Sequence, residues 1–155
     1  MFILNHTVNA QSKAEVKKLT LGVGPVVSFP TGDFGKVYNL GIGAEAQASL
    51  GIAPSFEGFG QVGYSSFSVK SSLGSGSIGF MPILVGARYI NNGLSFGAGL
   101  GYGSFSGSGS SEGGFTYSPQ VGYNFSKIQA TLHYTSVSLD GGSFGMFGLK
   151  AFYNF

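Results

Sequence analysis

A chain of 155 residues has room for one domain, and its 9% charged residues, against roughly a quarter in soluble domains, are too few to keep a water-facing surface in solution. The formal charge of +2, without a basic stripe, excludes a nucleic-acid footprint, and the absence of cysteine excludes disulfides, thiolate metal sites and a lipid-bearing anchor. No run of about 18 apolar residues occurs, so a membrane helix is excluded; the other structure that satisfies its backbone in lipid is a closed barrel.

In chain order, Met1 to Ala10 opens with Phe2-Ile3-Leu4 and ends on Val8-Asn9-Ala10, small residues of the kind a signal peptidase accepts. It lacks a basic start and is short for an apolar core. It reads as the tail of a truncated export signal, with a mature chain from about Gln11, or as a disordered soluble tail. Residues 1–18 are therefore expected to be an export-signal remnant with a periplasmic N-terminal segment, and residues 19–155 the barrel domain.

Eight segments of period-two alternation follow. The first, Leu19 to Phe29, sets Leu21, Val23, Val27 and Phe29 against Thr20, Gly22, Gly24 and Ser28. The second, Tyr38 to Ile52, is the cleanest, with Leu40, Ile42, Ala44, Ala46, Ala48 and Leu50 opposite Gly41, Gly43, Glu45, Gln47 and Ser49. In the third, Ser55 to Val69, Phe59 and Phe67 share parity with Glu57, Gln61 and Ser65, which requires either a bulge or aromatics in the lumen. The fourth, Ser77 to Ile90, opposes Met81, Ile83, Val85, Ala87 and Tyr89 to Pro82, Leu84, Gly86 and Arg88. The tight-turn signal Asn91-Asn92-Gly93 leads into the fifth, Leu94 to Phe105, whose second face is Ser95 and four glycines. These glycines make room for Arg88 and Gln120 or ease the bending of a narrow barrel.

The sixth and seventh segments run from Phe115 to Phe125 and from Ile128 to Val137. In the last, Phe147, Leu149, Ala151, Tyr153 and Phe155 alternate with Gly148, Lys150, Phe152 and Asn154. Short connections at Ala53-Pro54, Asn91 to Gly93 and Ser126-Lys127 interleave with longer ones at Pro30 to Val37, Lys70 to Gly76, Ser106 to Gly114 and Ser138 to Ser143. Short turns at one end and long loops at the other are the periplasmic and extracellular pattern of an all-β, eight-stranded antiparallel up-and-down transmembrane barrel.

Charge decides which face points inward. The four strand-borne charges, Glu45, Glu57, Arg88 and Lys150, share the parity of the Gly, Ser, Gln and Asn residues, and the aliphatic face carries none. A soluble ligand-binding barrel would carry its charges outside. The four are expected to form a paired lumen charge cluster, because a barrel of this size is filled by its own side chains; a gate over a narrow pore is the alternative.

The stretches Gly22-Val23-Gly24 through Ser28-Phe29-Pro30-Thr31-Gly32-Asp33-Phe34, Pro82 to Tyr89 and Gly148 to Phe155 resemble the OmpA-like, porin-family eight-stranded outer-membrane barrels common in the Bacteroidetes. The resemblance implies export to the bacterial outer membrane, contact with its lipid, and a structural, adhesive or minor porin-like role without enzymatic activity or cofactor, with small solutes or an extracellular partner as ligands. It also implies that Phe147, Leu149, Ala151, Tyr153 and Phe155 form the closing-strand signal read by the barrel-assembly machinery.

An enzymatic alternative rests on His133, Thr135, Ser136 and Asp140, which are similar to the His and Ser of outer-membrane lipid A deacylases but lack their His-x-Ser spacing; His133 reads better as a lumen polar residue. Gly58-Phe59-Gly60-Gln61-Val62-Gly63 fits the dinucleotide fingerprint, yet no helix follows to hold phosphate. The sequons Asn5-His6-Thr7 and Asn124-Phe125-Ser126 carry no weight in a bacterial envelope protein, and no His, Asp or Glu spacing suggests a metal.

Overall fold

The computed structural model describes residues 19–74, 76–107 and 109–155, with the side chains of Asp33, Phe34, Leu73 and Ser110 excepted; the expected export-signal remnant lies outside the described residues. Strands β1 (Leu19–Thr31), β2 (Tyr38–Ala53), β3 (Phe56–Val69), β4 (Ser77–Asn91), β5 (Leu94–Gly107), β6 (Ser110–Phe125), β7 (Ile128–Leu139) and β8 (Gly142–Asn154) pair antiparallel in sequence order. β1 and β8 close the barrel. A short helix, α1 (Gly32–Val37), joins β1 to β2, and a single 3-10 turn at Ser71–Leu73 lies between β3 and β4.

At one end the connections are two residues each, positions 54–55, 92–93 and 126–127. Asn92 and Gly93 both take positive φ, 52° and 88°, the conformation an Asn-Gly hairpin turn requires. At the other end, two of the four connections are shorter than the sequence suggests. The loops expected at Ser106 to Gly114 and Ser138 to Ser143 are mostly strand, with ladders running out to Gly107↔Ser110 and Leu139↔Gly142. Gly and Ser have little β-propensity of their own, but a ladder already in register on the preceding rungs extends through them.

The outer face is apolar. Val85, Leu100, Leu149 and Ile83 are each more than half exposed, as are the terminal Phe155 and the ring of Phe147. Aromatic residues gather near both edges of this band. Phe56, Tyr89, Tyr123, Phe125, Tyr153 and Phe155 lie by the two-residue turns, in contacting pairs such as Tyr123–Phe125 at 5.0 Å and Tyr153–Phe155 at 5.8 Å. Phe29, Tyr64, Tyr102, Phe115, Tyr134 and Phe147 lie toward the other end. The step from Phe115 to Phe125 covers roughly 33 Å along a strand, hence roughly 25 Å along the normal at a tilt of about 40°, the height of the apolar band of membrane barrels.

Tyr64, Tyr102, Phe115, Tyr134 and Phe147 each stand five residues short of their strand ends. Beyond them the outward positions of β3 to β8 are only serine and glycine, from Ser66 and Ser68 on β3 to Ser143 and Gly145 on β8. The sheet thus changes abruptly from apolar to small and polar. Three tyrosines lean across this border. Tyr64, Tyr102 and Tyr134 lay their hydroxyls over Gly79, Gly113 and Gly145 of the following strand, where a Cβ would collide with each ring. Aromatic cover of a cross-strand glycine restores the packing that the glycine lacks.

Three strand prolines interrupt ladders without shifting register. The β1–β8 pairs pass from Val23↔Tyr153 to Val26↔Lys150 across Pro25, and the β3–β4 pairs from Val62↔Ile83 to Ser65↔Phe80 across Pro82. The β6–β7 pairs pass from Tyr117↔Ser136 to Gln120↔His133 across Pro119. Each proline lacks the N–H that one neighbour would accept, while its other neighbour stays paired.

Candidate functional site

Among the described residues, charge, polarity and burial coincide in the lumen. Five of its large side chains face a glycine in register: Phe67 meets Gly41, Phe59 meets Gly86, Arg88 meets Gly97, Glu45 meets Gly63 and His133 meets Gly148. Gly97 is also the register partner of Gln120, so the β5 glycines do make room for residues of both neighbouring strands.

The four charges form two ion pairs. Arg88 Nε lies 3.0 Å from Glu57 Oε1 and Lys150 Nζ donates to Glu45 Oε1 at 2.8 Å. Glu57 and Arg88 are direct cross-strand partners. Lys150 and Glu45 reach each other across β1, which contributes no side chain at Gly24, in register with Glu45. A layer of four glutamines, of which only Gln120 is expected beside Arg88 from the sequence, joins the pairs. Arg88 Nη2 donates to Gln47 Oε1 at 2.6 Å, Gln61 Nε2 to the same oxygen at 2.8 Å, and Gln47 Nε2 to Gln129 at 2.9 Å. Gln120 Nε2 and Lys150 Nζ both donate to Gln61 Oε1, at 3.1 and 3.2 Å. The available signal is one glutamine at lumen parity on each of four strands, Gln47, Gln61, Gln120 and Gln129. The guanidinium of Arg88 also covers the Phe59 ring, 4.3 Å from its centroid.

Above this layer the lumen is not polar throughout, as the alternation had implied. Phe67, Phe80, Phe105, Val137 and Met146 form a buried apolar cluster, flanked by Tyr38, Ile78, Leu139 and Phe144, inside the part of the barrel that is serine and glycine outside. The parity conflict in β3 is resolved by aromatics in the lumen: Phe59 and Phe67 point inward with no register shift between them. Lumen positions tolerate apolar groups because side chains, not water, fill them.

His133 is buried, with Nδ1 3.0 Å from Thr135 Oγ1, which is 2.9 Å from Ser118 Oγ. Ser136 lies on the other face of β7, and Asp140 is exposed on the β7–β8 turn. The geometry therefore brings His133 to Thr135 and Ser118 rather than to a carboxylate. Gly58 to Gly63 is continuous strand in β3 with no helix after it. Among the described residues, no group of three His, Cys, Asp or Glu side chains is placed to hold a metal ion.

A closed, antiparallel eight-stranded barrel, apolar outside and plugged by its own side chains, is the fold of the bacterial outer-membrane barrels. No family model matches the sequence, and no curated protein matches it. In shape the chain is similar to Ail, the attachment invasion locus protein of Yersinia pestis, solved in complex with the heparin analogue sucrose octasulfate: TM-score 0.65 and 18% identity, over 88% of this chain and 97% of that one. It is similar also to the N-terminal β-barrel domain of Pseudomonas aeruginosa OprF, with TM-score 0.56 and 12% identity over 88% of this chain and 97% of that one. Neisserial surface protein A matches with TM-score 0.54 and 14% identity over the same shares of the two chains.

Proposed function

We propose that the protein is a non-conducting, non-enzymatic barrel of the outer membrane, with a structural or adhesive role at the cell surface. The observation that carries this reading is closure of the lumen at two levels by unlike chemistries: the ion-pair and glutamine layer, and the aromatic cluster beyond it. A minor pore would require both to open in line, breaking charged hydrogen bonds at one level and unpacking phenylalanines at the other. The two-residue turns face the periplasm and α1 faces outward.

Catalysis at His133 is disfavoured by its enclosure and by the absence of a carboxylate on it. Binding of a highly sulfated partner would rest on Lys36 and Lys70, the described basic residues of the outer end, so an adhesive partner of low charge suits the serine and glycine rim better. The alternating face of β8 from Phe147 to Phe155 is the segment we assign to recognition by the assembly machinery. The deciding experiment is conductance of the folded protein in planar bilayers. No steady current is expected; stable unitary openings from the wild type would overturn the reading.

A further inference from the structure

Below the glutamine layer the lumen opens into a cup of about 280 Å³ at the end that carries the two-residue turns, lined among others by Thr20, Ser49, Glu57, Asn124, Lys127 and Asn154. Its floor is the buried pair Gln47 and Gln129, joined at 2.9 Å, and Phe155 forms part of its wall. The cup is blind. The layer above it is closed by Arg88 and the glutamines and the far end by the phenylalanine cluster, so whatever enters leaves by the same mouth.

We propose that this cup is a binding site for a neutral, polyhydroxylated ligand the size of one sugar ring, taken from the periplasmic side. The volume lies just under the range of about 300 to 1,000 Å³ usual for small-molecule pockets, enough for one ring with the rest of a longer glycan projecting from the mouth. Seven of the ten lining residues carry hydroxyl or amide side chains, groups that both donate and accept, which matches the double character of a sugar hydroxyl. Glu57, the carboxylate in the wall, is already neutralised by Arg88 at 3.0 Å. Among the described lining side chains that leaves no unpaired carboxylate for a cationic ligand, and Lys127 stands exposed on the β6–β7 turn. A site built to hydrogen-bond hydroxyls discriminates through the groups it would otherwise leave unpaired.

The inference rests on the closed-lumen reading for the blindness of the cup, but binding and conductance are measured separately and each can fail alone. The test is titration of the detergent-folded, full-length protein with glucose, glucosamine and glucose 6-phosphate, followed by amide NMR. The expected result is saturable shifts at Thr20, Gln129 and Asn154 with glucose, no tighter binding of either charged analogue, and loss of the shifts in Ser49→Phe, which fills the cup. If Ser49→Phe does not fold, Asn124→Leu at the wall serves, with weakening of at least tenfold expected. Absence of saturable shifts with glucose, a tenfold preference for a charged analogue, or undiminished binding in the filled variant would overturn the proposal.

Discussion

Replacing Lys150 with methionine should destabilise the barrel more than replacing Arg88 with methionine, although both remove one partner of an ion pair. The difference lies in what each leaves behind. Lys150 and Glu45 have side chains only 1% and 7% exposed, so Glu45 alone would be a charge enclosed in the lumen. Breaking such a pair costs about 3 to 5 kcal/mol. Glu57 is 23% exposed and borders the cup, so after loss of Arg88 it can take water. The cost there should be nearer about 1 to 3 kcal/mol, that of leaving the charged hydrogen bonds of one group unmade. Adding Glu45→Gln to Lys150→Met should recover most of the loss, because the stranded charge is gone and an amide can bond to the neighbouring Gln61. The assay is urea unfolding in phospholipid vesicles, read by gel mobility without heating and by far-UV circular dichroism, since the chain has no tryptophan. Equal midpoints for the two single variants, or no recovery in the double one, would refute the argument that burial of the remaining carboxylate sets the cost.

Gly145→Leu should lower the unfolding midpoint by displacing the Tyr134 ring, an overpacking cost of about 1 to 3 kcal/mol, and Tyr134→Ala combined with it should cost less than the sum of the two; strict additivity would show that the ring and the glycine do not act together. Phe67→Ala in the aromatic cluster should cost about 3 to 5 kcal/mol yet leave planar bilayers silent, because the polar layer still blocks the lumen; new steady currents would show that the cluster alone is the seal. Deletion of Phe155 should reduce assembly in cells far more than folding into vesicles, whereas Phe29→Ala, an exposed aromatic at the opposite edge of the band, should affect both equally; matched losses in cells would mean that the terminus is only another interfacial aromatic. Arg88→Ala should in turn cost more than Glu112→Ala at the exposed outer end, measured as urea midpoints; equal values would argue against a structural role for the lumen pairs.

Most of the wall was legible because a strand in a barrel records its two environments at period two. The β2 alternation from Leu40 to Leu50 and the turn at Asn92-Gly93 fix strand direction, facing and one end of the molecule without tertiary information. What the alternation does not record is the chemistry inside. Phe67, Phe80 and Phe105 sit at lumen parity although they are apolar, because their fit depends on residues such as Gly41, remote in sequence and related to them only through register. The pairing within the glutamine layer is hidden for the same reason: Gln47 and Gln129 are 82 residues apart. The outer ends of the β5–β6 and β7–β8 hairpins look like loops in the sequence because serine and glycine carry no local preference for strand, and their conformation is imposed by the rungs below them.

The strand prolines have a mechanical consequence. A closed sheet resists being squeezed out of round because its hydrogen bonds run as unbroken hoops, and a hoop is only as stiff as its weakest joint. Pro25, Pro82 and Pro119 notch the wall between β8 and β1, between β3 and β4, and between β6 and β7. They divide the cylinder into staves of three, three and two strands. Within a stave the ladders are continuous except for register shifts at the two ends of the β2–β3 pair; between staves one rung lacks its donor. Lateral pressure from the surrounding bilayer would therefore be taken up by small hinging at three fixed lines rather than by uniform bending, and the ion pair between Lys150 and Glu45, which crosses the notch beside Pro25, acts as an internal brace against the opening of that joint.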